Sequence, residues 1–360
     1  MSFFLSELKA KASRLSSFQN SNSQEESINE RKSKRPGYDV VKTSYTSLPV
    51  SIPDDFLKPL ENPEESIKVQ RIEFENTVLK EYRGAYAVVL DGVLNEEECG
   101  MLIRLAEMSK GAHGNLVEGV KVENGVKSVA IDSEEGDVED GEFQGPLNNG
   151  WTPAMVNAGV GYEFLSTEYR NSDRIIWDEK EVVERIWKRV LQAKGIKEDI
   201  GVLEGKKWER FTSLGIRRGE RWVSINQGIN ERMRFLRYGP GQYFREHVDS
   251  AYGDADGERS FFTIHLYLND SAQELEKDPN IPKFPKDSKM LRGGATTFHS
   301  TDLKERLDVD PKVGRVLIFQ HRRLLHSGDE VVAGVKYTMR SDLMFRFEDG
   351  LEGKDDVIFG

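Results

Sequence analysis

The chain has 360 residues and a formal net charge of −11, which disfavours general nucleic-acid binding because phosphate contacts need clustered Lys and Arg. Hydrophobic residues make up 37% of the sequence, and no apolar run reaches the ~18 residues of a membrane-spanning helix. The single cysteine, Cys99, excludes an internal disulfide and a multi-cysteine zinc site, and it predicts a reducing compartment, the cytoplasm or alternatively the nucleus.

Three regions are predicted along the chain. Residues 1–48 are rich in Ser, Asn, Gln, Glu and Lys and lack hydrophobic periodicity, which is typical of a disordered tail. Residues 49–225 predict a supporting region of helices and strands, within which the Gly-rich, acidic residues 111–150 predict a solvated insertion. Residues 226–350 predict a strand-rich core. Together with its support, this core forms one predicted domain of about residues 67–350.

Two amphipathic helices are predicted in the supporting region. Asn95 followed by Glu98 is a capping-box pattern, and Cys99 falls on the buried face of the helix that follows. A second helix is predicted to start at Asp178 and carries an apolar stripe up to Leu191. Both stripes are typical of packing against a core, so Cys99 is interpreted as a small core residue.

Short strands predominate after Asn230, where the hydrophobic period changes to two. Turn residues such as Gly239-Pro240-Gly241 separate them. We predict an α+β fold in which a double-stranded β-helix (jelly-roll) barrel is backed by N-terminal helices. The strand candidates are Tyr86–Leu90, Arg232–Tyr238, Arg259–Asn269, Ala295–Phe298, Gly314–Gln320 and Lys336–Phe347.

One stretch, from Tyr238 to Asp249, ends in the pattern His-X-Asp. Residues two apart in an extended segment project from the same face, so His247 and Asp249 can bind one metal ion. His326, from a later strand, would complete a 2-His-1-carboxylate triad, the ligand set of non-haem Fe(II) oxygenases. By itself the pattern arises often by chance in a chain with six histidines and 62 acidic residues.

Four segments, the first of which is this stretch itself, give the pattern its context. They are Tyr-Gly-Pro-Gly-Gln-Tyr leading into His247-Val248-Asp249, Arg259 through Tyr267-Leu268-Asn269, Gly293 to Phe298, and Gly314 to Gln320 followed by His326 and Lys336. In this order they resemble the prolyl 4-hydroxylase-like branch of the Fe(II)/2-oxoglutarate-dependent dioxygenases. The resemblance covers roughly residues 80–347 and is specific after Asn226. It implies Fe(II) held by His247, Asp249 and His326, 2-oxoglutarate as cosubstrate, and ascorbate as a candidate reductant.

The resemblance also assigns a cosubstrate pocket. 2-Oxoglutarate would chelate the iron through its keto acid end and leave a distal carboxylate buried, where it needs a cation. Lys336 matches the cationic anchor of the family, and Arg340, on the same face of the strand, is the alternative. Thr338 would add a hydroxyl, and Tyr267 and Tyr238 match positions whose phenols bind the cosubstrate by hydrogen bonds.

The remaining histidines and arginines have weaker assignments. His265 is a candidate for the pocket wall, whereas His113, His299 and His321 are interpreted as surface or hydrogen-bonded residues. Three arginines, Arg170, Arg174 and Arg234, are candidates for contact with an anionic substrate, with solvated or structural roles as the alternative.

The sequence therefore predicts a dioxygenase that hydroxylates a C–H bond and releases succinate and CO2. No side chain beyond the metal ligands is predicted to be catalytic, because the metal and cosubstrate carry the chemistry. Its substrate is a small molecule or a peptide: peptidyl proline, a free amino acid and another metabolite all stay open, and no membrane is involved. Two other classes also stay open, a cupin-type metal-dependent hydrolase or isomerase and a catalytically inactive jelly-roll binding module.

Overall fold

The structure is a computed structural model that describes residues 40–110, 149–159, 161–212, 220–285 and 287–348. Within these residues the chain is mostly β-structure, in several antiparallel sheets with few helices. Of the predicted tail (1–48) and the predicted insertion (111–150), residues 1–39 and 111–148 lie outside the described residues. Residues Val40–Lys42 of the predicted tail form a strand, because they pair with Tyr162–Phe164.

The strands are β1 (Val40–Lys42), β2 (Lys68–Arg71), β3 (Ala87–Asp91), β4 (Thr152–Pro153), β5 (Val156–Gly159), β6 (Tyr162–Phe164), β7 (Arg170–Asn171), β8 (Asp173–Asp178), β9 (Val202–Leu203), β10 (Arg221–Ile229), β11 (Arg232–Tyr238), β12 (Tyr243–His247), β13 (Arg259–Tyr267), β14 (Arg292–Gly293), β15 (Thr296–His299), β16 (Arg306–Val309), β17 (Val316–Gln320), β18 (His326–Gly328), β19 (Val331–Ala333) and β20 (Lys336–Glu348). The helices are α1 (Pro63–Ser66), α2 (Glu96–Met108), α3 (Lys180–Gln192), α4 (Ile196–Ile200), α5 (Lys206–Thr212) and α6 (Ala272–Leu275), with short 3₁₀ helices at Phe74–Asn76 and Lys80–Tyr82. A membrane-spanning helix, long and apolar, does not occur among the helices of the described ranges.

The largest sheet contains most of the predicted strands. Its order is β2-β3-β17-β13-β20-β11-β8-β4, and β10, which itself pairs with β9, joins it through β20. The prediction at Arg232–Tyr238 matches β11, and the other predicted strands differ from the observed ones by one or two residues at their ends. The prediction of a strand-rich fold with a few supporting helices is confirmed in this coarse form.

A second sheet, with the order β16-β15-β18-β12-β7, carries two of the predicted metal ligands. Strands β12 and β18 pair antiparallel, and in this register His247 lies opposite His326. The strand pairing therefore brings together two histidines that are far apart in the sequence. Two small sheets, β1-β6-β5 and β14-β19, complete the β-structure of the described residues.

The alternation along β20 separates a core face from a polar face. Met339, Leu343 and Phe345 belong to a large apolar cluster that also contains the buried faces of α2 and α3. On the other face, the side chains of Lys336 and Arg340 line a cavity. One strand of the large sheet thus packs against helices on one side and forms the wall of a site on the other.

Both predicted helices are present, with one difference at a helix start. The capping box of Asn95 and Glu98 is complete, and burial raises the pKa of Cys99 to about 12, in agreement with a core thiol. The second helix begins at Lys180, and its N-cap is Glu179 rather than Asp178. The reason is tertiary, because both carboxylate oxygens of Asp178 accept hydrogen bonds from Arg232 of the neighbouring strand.

The predicted boundary at residue 226 lies within β10. Strands from the preceding region, among them β2, β3 and β8, are hydrogen-bonded members of the large sheet. Because strand pairing joins segments that are distant in sequence, a change in local hydrophobic period does not mark where a sheet begins.

Gly314 provides a test of how tightly the turn before β17 is packed. It has φ +70, and a Cβ there would lie 1.8 Å from the carbonyl oxygen of Leu94. We expect Gly314→Ala to lower the free energy of unfolding by more than the ~1–2 kcal/mol of a left-handed residue alone, because backbone atoms must also move. Gly257→Ala is the matched control, since Gly257 has φ +84 with nothing within 4 Å. Equal losses for the two variants in denaturant titrations would contradict this packing.

Candidate metal centre and cosubstrate pocket

The three predicted ligands meet at the end of the second sheet. His247 Nε2 lies 3.6 Å from Asp249 Oδ1, and His326 Nε2 lies 3.6 Å from Asp249 Oδ2. One possible ligand atom from each residue falls within 4.8 Å of the others, and within the described ranges no other set of three His, Cys, Asp or Glu residues does so. Asp249 and His326 are buried, and His247 is half-buried.

Backbone hydrogen bonds fix which histidine nitrogen faces the centre. The Nδ1–H of His247 donates to the carbonyl oxygen of Arg245 at 2.7 Å, and that of His326 donates to the carbonyl oxygen of Leu324 at 3.1 Å. Each bond leaves the Nε2 lone pair of its ring for a metal ion. Two imidazole nitrogens and one carboxylate on one side of an ion form the donor set of non-haem Fe(II) sites, so these residues fit Fe(II).

The protonation states also favour metal binding. Burial, and next the proximity of His247, lower the pKa of His326 to about 3, so its imidazole is neutral at physiological pH. Burial alone would raise the pKa of Asp249, but Arg340 and the two histidines hold it well below its usual range. A neutral imidazole and an ionised carboxylate are the forms that bind metals.

Two neighbours of Asp249 could not be identified as such from the sequence. Arg340 Nη2 lies 2.7 Å from Asp249 Oδ1, and the hydroxyl of Thr263 donates to Asp249 Oδ2 at 2.6 Å. Thr263 lies on β13 and Arg340 on β20, and the register between these strands sets His265 opposite Arg340. No local pattern signals such a contact, because it depends on the pairing of strands that are far apart in sequence.

The triad opens into a cavity that extends to Lys336 and Arg340. Residues of both sheets line it: Arg170, Leu236, Tyr238, Phe244, His247, Thr263, His265, Thr296, Phe319, His326, Ser327, Gly328, Lys336 and Arg340. The cavity therefore lies between the two sheets and contains both the metal ligands and Lys336.

Lys336 is a buried cation in this cavity. Its side chain is 2% exposed, and its Nζ lies 5.2 Å from the ring centre of Tyr238 and 5.8 Å from that of Tyr267. Burial lowers the pKa of Lys336 to about 8. Across the described part of the chain, no carboxylate lies within 4 Å of this ammonium group. Because an unpaired buried charge is costly, the position fits the carboxylate of a bound ligand.

The other predicted cosubstrate residues differ in how they meet the cavity. Tyr238 and His265 line it, and His265 Nε2 has no partner among the described residues. Thr338 does not belong to the lining, although its Oγ1 is also buried without a described partner. Tyr267 is fully buried, does not belong to the lining, and has its hydroxyl 3.4 Å from the carbonyl oxygen of Val309.

The other histidine candidates lie outside the metal centre or outside the described residues. His299 is buried with Nε2 2.7 Å from Ser327 Oγ, and His321 is buried with Nε2 3.3 Å from Asp342. Neither is a surface residue: His299 contacts Ser327 through a hydrogen bond, whereas the ring nitrogens of His321 form none with the described residues. His113 lies outside the described residues.

Two of the three arginine candidates are held by carboxylates. Arg174 pairs with Glu163 at 2.9 Å, and Arg234 pairs with Asp342 at 3.3 Å. Their contacts are therefore structural. Arg170, in contrast, lines the cavity.

Residues 233–341 match a family described as the 2OG-Fe(II) oxygenase superfamily. This match assigns residues 233–341 to the 2OG-Fe(II) oxygenase superfamily. The matched segment contains all three ligands of the triad together with Lys336 and Arg340. The chain is an Fe(II)- and 2-oxoglutarate-dependent oxygenase with an intact His-X-Asp…His motif, as the sequence predicted.

Solved structures similar to the oxygenase include several prolyl hydroxylases. A viral collagen prolyl hydroxylase from Paramecium Bursaria Chlorella virus-1, in a 2-oxoglutarate complex, is 18% identical over 72% of this chain and 97% of its own, with a TM-score of 0.37. A Pseudomonas putida prolyl-4-hydroxylase is 16% identical over 54% of this chain and 78% of its own, with a TM-score of 0.32.

A third similar structure is a prolyl hydroxylase from Trichoplax adhaerens in complex with a hypoxia-inducible factor peptide. It is 14% identical over 54% of this chain and 70% of its own, with a TM-score of 0.32. No curated protein matches the oxygenase sequence.

Proposed function

We propose that the oxygenase hydroxylates a C–H bond of a small-molecule or peptidyl substrate and converts 2-oxoglutarate to succinate and CO2. The observation that carries this proposal is the unpaired, buried Lys336 in the same cavity as the metal ligands. Bound Fe(II) and 2-oxoglutarate supply the activation of O2. The protein's own residues bind, orient and shield the reactants.

Lys336 is proposed to bind the distal carboxylate of 2-oxoglutarate. The phenol of Tyr238 and the unpaired Oγ1 of Thr338 are available to add hydrogen bonds. Tyr267 supports this position through its ring, which lies close to the Lys336 ammonium. Arg340 is proposed to act on the other side of the centre, where its contact with Asp249 keeps that carboxylate ionised and limits its rotation.

The architecture is proposed to be a double-stranded β-helix in which the two larger sheets face each other across the cavity. This proposal is supported by the lining, which draws residues from β11, β13 and β20 of one sheet and from β12 and β18 of the other. We propose one catalytic domain of about residues 67–350, which acts in the cytoplasm or in the nucleus.

A cupin-type hydrolase or isomerase and an inactive binding module are less well supported. Metal-activated water needs no buried cation next to the ligands, so Lys336 would lack a task in a hydrolase. An inactive module would not require the complete triad with both Nε2 atoms directed at the centre. Succinate formation that depends on both Fe(II) and 2-oxoglutarate, measured with and without ascorbate, separates the three functions; its absence in metal-loaded protein would overturn the proposal.

The pH dependence of 2-oxoglutarate binding tests Lys336 directly. The pKa of Lys336 is lowered to about 8 by burial, so the free protein carries the charge below this pH and loses it above. Because the carboxylate binds the protonated form, we expect the dissociation constant of 2-oxoglutarate to rise with pH above about 8, by up to tenfold per unit. Titrations of anaerobic, metal-loaded protein between about pH 7 and pH 9 measure this rise.

Lys336→Arg is the control for this experiment. A guanidinium stays protonated over the whole range, so the variant should show weaker binding overall without the rise near pH 8. An equal rise in wild type and variant would assign the titration to another group.

A further inference from the structure

Arg170 is a further cation in the cavity that contains Lys336. It lies on β7, which pairs with β12, and its side chain is 7% exposed. The guanidinium carbon lies 4.7 Å from the ring centre of Phe244, whose ring in turn stacks on His247 at 3.8 Å between centres. The ring of Phe244 therefore lies between the guanidinium of Arg170 and the metal ligand His247.

This arginine differs from its neighbours in having no anion. The charges of three other arginines act on Arg170, and each of these arginines has a carboxylate within 3.3 Å: Arg174, Arg234 and Arg340. No carboxylate of the described residues lies within 4 Å of Arg170, and its Nε is buried without a hydrogen-bond acceptor. Burial lowers its pKa to about 10, which still leaves it protonated at neutral pH.

The cosubstrate does not account for this charge. 2-Oxoglutarate carries two negative charges, one of which is matched by Lys336 and the other by the net charge that Fe(II) and Asp249 leave. Arg340 is already matched by Asp249. With metal and cosubstrate bound, Arg170 would remain a buried guanidinium with free donors, and this is the group that recognises carboxylates and phosphates by paired hydrogen bonds.

We propose that Arg170 binds an oxyanion of the substrate, a carboxylate or a phosphate, and so selects anionic substrates for this site. The inference rests on the proposed function, in which the substrate enters the cavity beside the metal. It narrows the substrate class to acidic metabolites, amino acids bound through their carboxylate, and peptides with an acidic group near the oxidised carbon. A neutral substrate would leave the Arg170 charge buried and unpaired, at a cost in affinity.

Binding of simple anions tests the proposal without a known substrate. Full-length protein loaded with Zn(II) and saturated with 2-oxoglutarate, which occupies Lys336, is titrated with inorganic phosphate and with acetate by calorimetry. We expect one of these anions to bind the wild type and to bind Arg170→Met at least about tenfold more weakly. The anion that binds more tightly indicates whether the substrate group is a phosphate or a carboxylate.

Arg259→Met is the matched control, because Arg259 also lies over an aromatic ring, at 6.0 Å from the Trp222 ring centre, but outside the cavity. It should bind the anion as the wild type does, and Arg170→Lys should retain part of the affinity. Equal anion binding by wild type and Arg170→Met, or no binding by either, would overturn the proposal.

The same variants separate this inference from the proposed function. Arg170→Met should bind 2-oxoglutarate with unchanged affinity; a loss as large as that of a Lys336 variant would show that Arg170 serves the cosubstrate instead, and would overturn the substrate role. Protein that binds no 2-oxoglutarate contradicts the proposed function. In that case Lys336→Met protein and the double variant Lys336→Met/Arg170→Met still report on Arg170, since only the difference in anion binding between the two depends on Arg170.

Discussion

We expect His247→Ala and His326→Ala each to abolish stoichiometric Fe(II) binding and, with it, succinate formation. Each substitution removes one of the three groups that lie within 4.8 Å of one another, and two remaining ligands do not hold the ion. Anaerobic calorimetry with Fe(II) measures the binding, and the visible band of the Fe(II)–2-oxoglutarate chelate reports the assembled site. Asp249→Gly should have the same effect, because the carboxylate is the only anion among the three ligands.

His299 and His321 supply the controls within the same protein. Both are buried histidines outside the triad; His299 forms a hydrogen bond with Ser327, and His321 lies 3.3 Å from Asp342. His299→Gln and His321→Asn should retain metal binding even where they lower the unfolding temperature, since their contacts stabilise the fold and not the ion. If these two variants lost Fe(II) to the same extent as the triad variants, the ligand assignment would be wrong.

Lys336→Ala should raise the dissociation constant of 2-oxoglutarate by roughly a hundredfold or more. Removing one partner of a buried charge pair typically costs about 3–5 kcal/mol, and each 1.4 kcal/mol is a factor of ten in affinity. Lys336 is fully inside the cavity, and solvent cannot replace the lost contact. Fe(II) affinity should change little, because Lys336 is not a ligand.

Arg340→Ala is the competing variant for the cosubstrate anchor. Its side chain contacts Asp249, so the variant should weaken metal binding and leave the intrinsic 2-oxoglutarate affinity of the metal-loaded protein much less affected than Lys336→Ala does. A large cosubstrate defect in Arg340→Ala, together with none in Lys336→Ala, would place the anchor four residues further along β20.

The charged side chains in the lining of this cavity are mostly cations. Three cations, Lys336, Arg340 and Arg170, line it, whereas Asp249 is the single carboxylate in contact with any of them among the described residues. A metal dication adds further positive charge, so the site is suited to two anionic partners, the cosubstrate and, by our inference, the substrate. This balance makes the charge of the ligand the property to vary first in any search for the substrate.

The elements that the sequence determined are those specified locally. The capping box of Asn95 and Glu98 and the alternation along β11 and β20 each depend on residues a few positions apart. For the same reason, the two-residue period of an extended chain is enough to assign Lys336, Thr338 and Arg340 to one face of a strand. Local geometry of this kind also placed His247 and Asp249 on a common side of the chain.

Features that depend on partners far apart along the chain could not be predicted from the sequence. Strand β10 crosses the predicted boundary at residue 226. The N-cap of α3 is Glu179 and not the predicted Asp178, because the carboxylate of Asp178 accepts a hydrogen bond from Arg232. The buried positions of His299 and His321 likewise follow from sheet packing and not from any local pattern. In each case the competing interaction comes from another strand.

The sequence by itself determined the reaction class, since the triad, the turn before it and Lys336 after it occur in one order along the chain. Only the tertiary structure decided which charges are satisfied. Arg340 is paired because the fold brings β20 close to Asp249 in the segment after β12, whereas Arg174 and Arg234 are paired by Glu163 and Asp342. Arg170 alone of the cavity's arginines lacks a described carboxylate partner, and that difference follows from strand pairing, which no local sequence pattern specifies.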